Sequence, residues 1–326
     1  MEIKELKDGM SNIKFDCFVE SATEKATKKG SPYVAIVFAD AGGKIGSNIW
    51  DQSLNTWKWP KESVVTITGN ISTFGGKLQI KLVKPLEVCN KPLNTFFKSS
   101  ERDIHRMFEI LTDVFINKIE NPFIKFLAEE LILEPKCAEL YCAAPAAKTV
   151  HHNWIGGLLE HSLGLCTLAT AAHREHYYSY FPTLDMDKVI FGCLFHDWGK
   201  IMEYDYSSPM ITYAKKGCLM HHIGAVADII SRKSLRYEMK HGTTKYQELS
   251  QELLHIIYSH HGKQEWGSLV RPSSQEALYV HLVDYMDGMM MHMRENIKDG
   301  IEGDIPGMSI KSWAHQTQYL IPNKGE

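Results

Sequence analysis

Apolar residues come in two textures along this chain. Up to about residue 90 they form short runs rich in β-branched and aromatic side chains: Ile13–Glu20, Tyr33–Asp40, Lys44–Trp50, Ser63–Ser72 and Lys77–Val88. Turn signals separate them, namely Lys29-Gly30-Ser31-Pro32, Ala41-Gly42-Gly43 and Gly75-Gly76, so the pattern predicts five strands. Beyond Pro92 the apolar spacing becomes helical. Helices are predicted over Glu101–Ile119, Pro122–Cys142, Trp154–His176, Asp185–His196, Cys218–Arg232, Tyr246–His260 and Ser274–Asn296, several with Ser, Thr or Asp near their starts. The fold class is therefore multi-domain: a small all-β barrel over residues 1–92, a polar connector at 93–100, and a larger all-α domain over 101–326. The tail after Gly300 is punctuated by Gly and Pro, with Trp313 as its expected packing anchor.

Five short strands in this order resemble the OB barrel, a fold that commonly grips single-stranded nucleic acid. Tyr33, Phe38 and Trp50 are the candidates for stacking on bases, with Trp57 and Trp59 following. Lys28, Lys29, Lys44, Lys58 and Lys77 are the candidates for phosphate contacts. Any one of these aromatics is more often barrel filling than a binding residue.

Composition narrows the class. The chain has 326 residues, 44% hydrophobic and 23% charged, ordinary values for a folded domain pair. No apolar stretch approaches the ~18 residues of a membrane span. MEIKELKDGM lacks the apolar core of a secretory signal, which makes the cytoplasm the expected compartment. Seven cysteines without a C-x-x-C pair fit reduced thiols. The net charge of −3 argues against a coat of positive field for duplex DNA, but residues 1–95 hold 13 Lys and 10 acidic residues, a local +3 compatible with a polyanionic partner.

The 16 histidines carry more information. Five signals recur in order: His161 in GGLLEHSLGL, His196-Asp197 in GCLFHDWGK, His222 in LMHHIGAV, His260-His261 in IYSHHGK, and Asp284 in HLVDYMDGM. Each falls on or at the end of a predicted helix and is embedded in apolar sequence, where an imidazole or carboxylate needs a partner. Singly, a histidine beside leucines is usually a satisfied core residue. As an ordered set on separate helices, they point to a converging metal site of nitrogen and oxygen donors. His222 is preferred over His221 because Ile223, Val226 and Ile230 lie on its inner side, and Gly199 reads as the stop of the helix that delivers His196 and Asp197.

The order H…HD…D resembles the HD superfamily of metal-dependent phosphohydrolases over about residues 140–295. That resemblance implies that His161, His196, Asp197 and Asp284 bind one metal, and that His222, His260 and His261 bind a second, with Asp197 bridging. The segments HHNWIGGLLEHSL, FHDWGK, SHHGKQEWGSLVRP and HLVDYMD behind an OB barrel are similar to those of the YhaM-type 3′-to-5′ exoribonucleases. Single-stranded RNA, or DNA, is then the implied partner. SHHG is followed by KQEWGSLVRP and not by a GYP element, which lowers the alternative of a phosphodiesterase for small cyclic nucleotides.

Two ions per chain are expected. Mixed His and Asp donors suit Mn²⁺ or Fe²⁺ first, with Co²⁺, Zn²⁺ or Mg²⁺ as alternatives. Asp197 and Lys200 are the catalytic candidates, Lys200 for a nonbridging phosphate oxygen. Arg271 offers a planar fork for phosphate or ribose, while His151 and His152, just before the first ligand helix, are second-tier candidates to orient a ligand or grip phosphate, with structural packing as the equal alternative. Glu160, His281 and Asp287 neighbour ligands and are candidates to hold them from behind, with ordinary helix-surface or core duty the favoured reading for each. A homo-oligomer is left open.

Overall fold

Strand β1, Ile13–Ala26, runs well past the expected Glu20 because one strand serves two neighbours. Its first half pairs antiparallel with β4, Val64–Phe74, and its second half with β2, Pro32–Asp40, the switch lying at a register shift between Val19 and Ser21. Such a bulge bends a strand and lets it turn a barrel corner. β2 pairs with β3, Gly43–Trp50; β3 meets β5, Lys77–Leu82, in parallel; and β5 returns antiparallel to β4. The ring β1-β2-β3-β5-β4 closes on β1, the OB topology. The expected last strand breaks after Leu82, leaving a short β6, Glu87–Val88, on β4.

Alternate residues fill the barrel, as a period of two demands. Phe15, Cys17 and Val19 of β1, Val34, Ile36 and Phe38 of β2, and Val65 and Ile67 of β4 form its core. Phe38 is fully buried, so the expectation that it stacks on bases is corrected: its ring is barrel filling. The segment expected as a connector seats Phe96 against Phe18, ring centroids 6.3 Å apart.

The computed structural model describes residues 1–149, 151–206, 211–298, 300–312 and 315–322; Trp313 lies outside the described residues. Two units are distinguished, residues 1–98 with 206–211, and residues 99–205 with 212–326.

In the second unit the helices are α1 Ile104–Ile110, continued by a wider turn over Leu111–Ile116, α2 Pro122–Ile132, α3 Pro135–Ala143, α4 Gly157–Glu175, α5 Met186–Phe195 and α6 Lys200–Glu203. α7 Lys215–His241, α8 Gln247–Ser259 and α9 Gln275–Ile297 follow. The single helix expected over Pro122–Cys142 is two, since Pro135 cannot donate an N–H and pushes Glu134 to extended backbone, where its carboxylate caps Cys137 N. A two-stranded ribbon, Tyr204–Asp205 with Thr212–Tyr213, interrupts the predicted all-α domain.

Helix α5 is apolar on every side, with Val189 through Phe195 all buried, which places it centrally among α2, α4, α8 and α9. Asp185 caps its first turn through the N–H groups of Asp187 and Lys188, a contribution of about 1 kcal/mol. Its other end carries His196 and Asp197 into the middle of the bundle.

Candidate metal centre and nucleic-acid groove

Four elements bring their polar residues to the end of α5. His161 comes from α4, Asp284 from α9, His222 from α7, and His260 and His261 from the end of α8. All but His261 and Asp284 are buried in the strict sense, and those two are largely enclosed.

The donors sort into two sets around Asp197. His161 Nε2 is 3.3 Å from His196 Nε2 and 3.1 Å from Asp284 Oδ1, and Asp197 Oδ2 lies 3.4 Å from His196 Nε2. On the opposite side Asp197 Oδ1 lies 3.4 Å from His222 Nε2 and 3.6 Å from His260 Nε2. One donor atom from each of Asp197, His222, His260 and His261 falls within 4.8 Å of the others, and the same holds for His161, His196 and Asp284.

The second set fits a cation more closely. Asp197 Oδ1, His222 Nε2, His260 Nε2 and His261 Nδ1 are buried without a hydrogen-bond partner. Four converging orphans would be costly in a finished core, whereas a divalent ion satisfies all of them. The donor chemistry fits such an ion, two neutral-capable imidazoles or more plus a shared carboxylate in each set.

The far side of four of the rings is anchored. His161 Nδ1 donates to Asp287 Oδ2 at 2.7 Å, His222 Nδ1 to Glu203 Oε2 at 2.9 Å, His196 Nδ1 to Gly192 O at 3.1 Å and His260 Nδ1 to Ile257 O at 2.7 Å. Such bonds leave Nε2 as the free donor and fix the ring plane. Charge follows burial. Burial pushes His222 well below the ordinary imidazole value and takes His261 to about 3, so both rings are unprotonated at neutral pH. Burial opposes ionisation of Asp197, but Lys200 and His196 outweigh it and hold the carboxyl well below the usual range. Burial would also lower His161, yet its bonds to Asp284 and Asp287 raise it to about 10.

Local backbone explains two sequence features differently from expectation. Gly199 does not end α5 in the left-handed region: its φ is −59°. A Cβ there would sit 2.1 Å from His222 O, so glycine is required for α7 to approach Asp197. Between His221 and His222 the chain kinks, His221 taking φ 56° inside α7, a strained value of the kind that collects at functional sites. The kink turns His222 inward to Asp197 and leaves His221 exposed beside Glu203.

A cavity of about 310 Å³ opens onto the cluster, lined among others by Asp197, Lys200, His261, Asp284, Trp266 and Tyr285. Lys200 Nζ reaches Asp197 Oδ2 at 2.5 Å. Of the readings open for His152, burial disfavours the phosphate contact: its ring lies 5.4 Å from that of His161 and its Nδ1 3.8 Å from Asp287 Oδ2, so it packs behind His161. Arg271 is exposed and is not among the residues lining this cavity. For Asp287 and His281 the geometry favours the supporting role over ordinary helix duty. Asp287 anchors His161, and His281 Nδ1 donates to His260 O at 2.7 Å. Their spacing was a usable signal, because His281, Asp284 and Asp287 are three apart and share one helix face. Glu160 accepts from Ser100 Oγ and Trp154 Nε1.

The barrel unit carries a separate groove of about 730 Å³, lined by Trp50, Trp57, Trp59, Phe74, Lys58, Lys81 and Lys84 among others. Trp50 is 57% exposed and packs on Tyr33, centroids 4.8 Å apart. Lys81 and Lys84 escaped notice in the sequence, while Lys44 is tied to Glu20. Among the described residues no helix is long and apolar enough to cross a membrane.

Comparison with known proteins agrees with this architecture. The HD domain family matches residues 158–289. The 3′-5′ exoribonuclease YhaM of Bacillus velezensis is 28% identical over 293 residues, covering 86% of this chain and 87% of that protein. The second OB-fold domain of replication protein A from Methanococcus maripaludis, solved in solution, is 19% identical, covers 28% of this chain and 97% of its own, and has a TM-score of 0.23; the barrel assignment above rests on strand register instead. The helical unit with its ordered histidines and aspartates is thus similar to the HD domain family, and the chain as a whole, barrel included, is similar to the exoribonuclease YhaM over most of both lengths.

Proposed function

We propose that this chain is a metal-dependent 3′-to-5′ exonuclease that hydrolyses phosphodiester bonds of single-stranded RNA, with single-stranded DNA as a second substrate. One observation carries the reading: the two oxygens of Asp197 face two different donor sets, the arrangement of a carboxylate shared between two cations. Similarity to an exoribonuclease over most of both chains supports the choice of substrate.

His161, His196, Asp284 and Asp197 would hold one divalent ion, and Asp197, His222, His260 and His261 the other. Ions there supply a Lewis acid for the phosphate and a water of lowered pKa; nitrogen-rich donor sets favour Mn²⁺ or Fe²⁺. The chain's own contribution is positioning. Asp197 spaces the two sets, Asp287 and Glu203 hold His161 and His222 in register, and buried α5 keeps His196 and Asp197 rigid. Lys200 is assigned a nonbridging phosphate oxygen, on the ground that it lines the cavity next to Asp197. In the barrel, Trp50 with Lys58, Lys81 and Lys84 is assigned the strand, since exposed aromatics and lysines share one groove. Arg271, exposed in the loop before α9, remains a candidate for more distal phosphate. We place the activity in the cytoplasm, the compartment that seven reduced thiols suit.

The test is a 5′-labelled single strand with added Mn²⁺. A ladder descending from the 3′ end, blocked by a 3′ cap and absent in His196→Ala, is the expected result. Internal cuts, or preferential turnover of cyclic mononucleotides over the strand, would reject the exonuclease reading in favour of a small-nucleotide phosphodiesterase.

A further inference from the structure

Trp266 and Tyr285 form a stacked pair at the mouth of the catalytic cavity. Their ring planes differ by only 6° with centroids 5.6 Å apart, yet neither is buried: Trp266 is 47% and Tyr285 44% exposed. Large aromatics exposed beside a polar cavity have lost hydrophobic burial that a core position would supply. Both line the same cavity of about 310 Å³ as Asp197, Lys200 and Asp284, at the lower end of ordinary ligand clefts, about 300–1,000 Å³.

The pair is held from both sides. Tyr285 follows Asp284 on α9, so the helix that brings a ligand also brings the ring. Trp266 sits on a single turn, Gln264–Trp266, separated from His261 by Gly262 and Lys263 and closed by Trp266 N to Lys263 O and Gly267 N to Gln264 O. Gly262 starts that turn at φ 79°, and a Cβ there would meet the His281 ring at 2.2 Å. His281 in turn is bonded to His260 O. Lys263 Nζ lies 4.4 Å from the centroid of the Trp266 ring, adding positive charge where a phosphate would pass.

We propose that Trp266 and Tyr285 are a nucleobase platform on which the terminal base of the strand stacks, seating its phosphodiester against Asp197, Lys200 and Asp284. The proposal rests on the exonuclease reading and adds the means by which this site grips its substrate: a flat surface that accepts any base. Recognition of this kind is sequence-tolerant because every base presents a π face.

Two 5′-labelled strands identical except for an abasic 3′-terminal residue separate the possibilities. Wild-type protein with Mn²⁺ should remove the abasic terminus with kcat/KM lowered about 5- to 100-fold, the range of one base–aromatic stack. Trp266→Ala should lose a similar factor on the normal strand and no longer distinguish the two, and Trp266→Phe should restore discrimination. A 2-aminopurine at the 3′ terminus, bound in EDTA, should be quenched by wild type and not by Trp266→Ala. Wild-type protein that shortens both strands at equal rates overturns the platform and leaves the exonuclease intact. A Trp266→Ala variant that keeps the full abasic penalty also overturns it. Wild-type protein that shortens neither strand rejects the exonuclease reading, and the platform with it.

Discussion

Asp287 Oδ2 lies 2.7 Å from Nδ1 of His161, a carboxylate gripping the back of an imidazole whose front faces Asp284 and His196. The bond fixes the tautomer and ring plane that a metal ligand needs. Replacing Asp287 by Asn or Ala should therefore lower metal affinity about 10- to 100-fold. Titration of metal-stripped protein with Mn²⁺, followed by calorimetry, reads this directly; unchanged affinity would make the contact merely structural.

Asp197 turns Oδ2 toward His196 and Oδ1 toward His222, so each of its oxygens faces a different donor set. Asp197→Ala should abolish strand shortening and reduce bound metal from two ions per chain, measured by elemental analysis after dialysis. Two tightly retained ions in that variant would refute its shared role.

Metal removal should register in stability as well as activity. A cation that binds only the folded state stabilises it by about 2.7 kcal/mol at a hundredfold excess over Kd. Thermal melts with EDTA and with restored Mn²⁺ should differ by several degrees. Coincident melts would mean that the buried orphans near Asp197 are satisfied without an ion.

The barrel aromatics should divide by side-chain facing. Trp50→Ala should weaken binding of a long strand about 5- to 100-fold without changing the melt of the protein, and fluorescence anisotropy measures the loss. Phe38→Ala should instead destabilise the barrel by about 3–5 kcal/mol. Reversed outcomes would contradict the barrel assignment.

Stability of the metal-stripped protein should depend on pH from both sides. Burial lowers His151 to about 4 and His152 and His261 to about 3. Because these folded values lie below the unfolded one, about 6.5, the unfolded chain binds more protons in between. The stability from these neutral rings is thus complete above about 6.5 and is lost as pH falls toward 3. His161, raised to about 10 against its burial by Asp284 and Asp287, has the opposite sign: its contribution is complete below about 6.5 and declines as pH climbs to 10. Denaturant midpoints measured across pH 4 to 10 should peak in between, and His152→Gln should flatten the acid limb.

The sequence by itself determined the strand–helix division, the barrel and the order of histidines and aspartates, because those are written in neighbouring residues: turn glycines, a period of two or of about 3.6, and an apolar helix ending in His196-Asp197. It even held the parity that separates Tyr33 from Phe38, five positions apart and hence on opposite faces of β2, with Tyr33 paired to Trp50. The folded bundle was needed to show that a kink turns His222 inward, a choice the apolar spacing only favoured, that Gly199 serves close approach and not a helix stop, and that Trp266 meets Tyr285. Each of these depends on where a distant element packs. No local rule encodes that the carbonyl of His222, 23 residues beyond Gly199, will press against it, so the contact exists only once the bundle has closed.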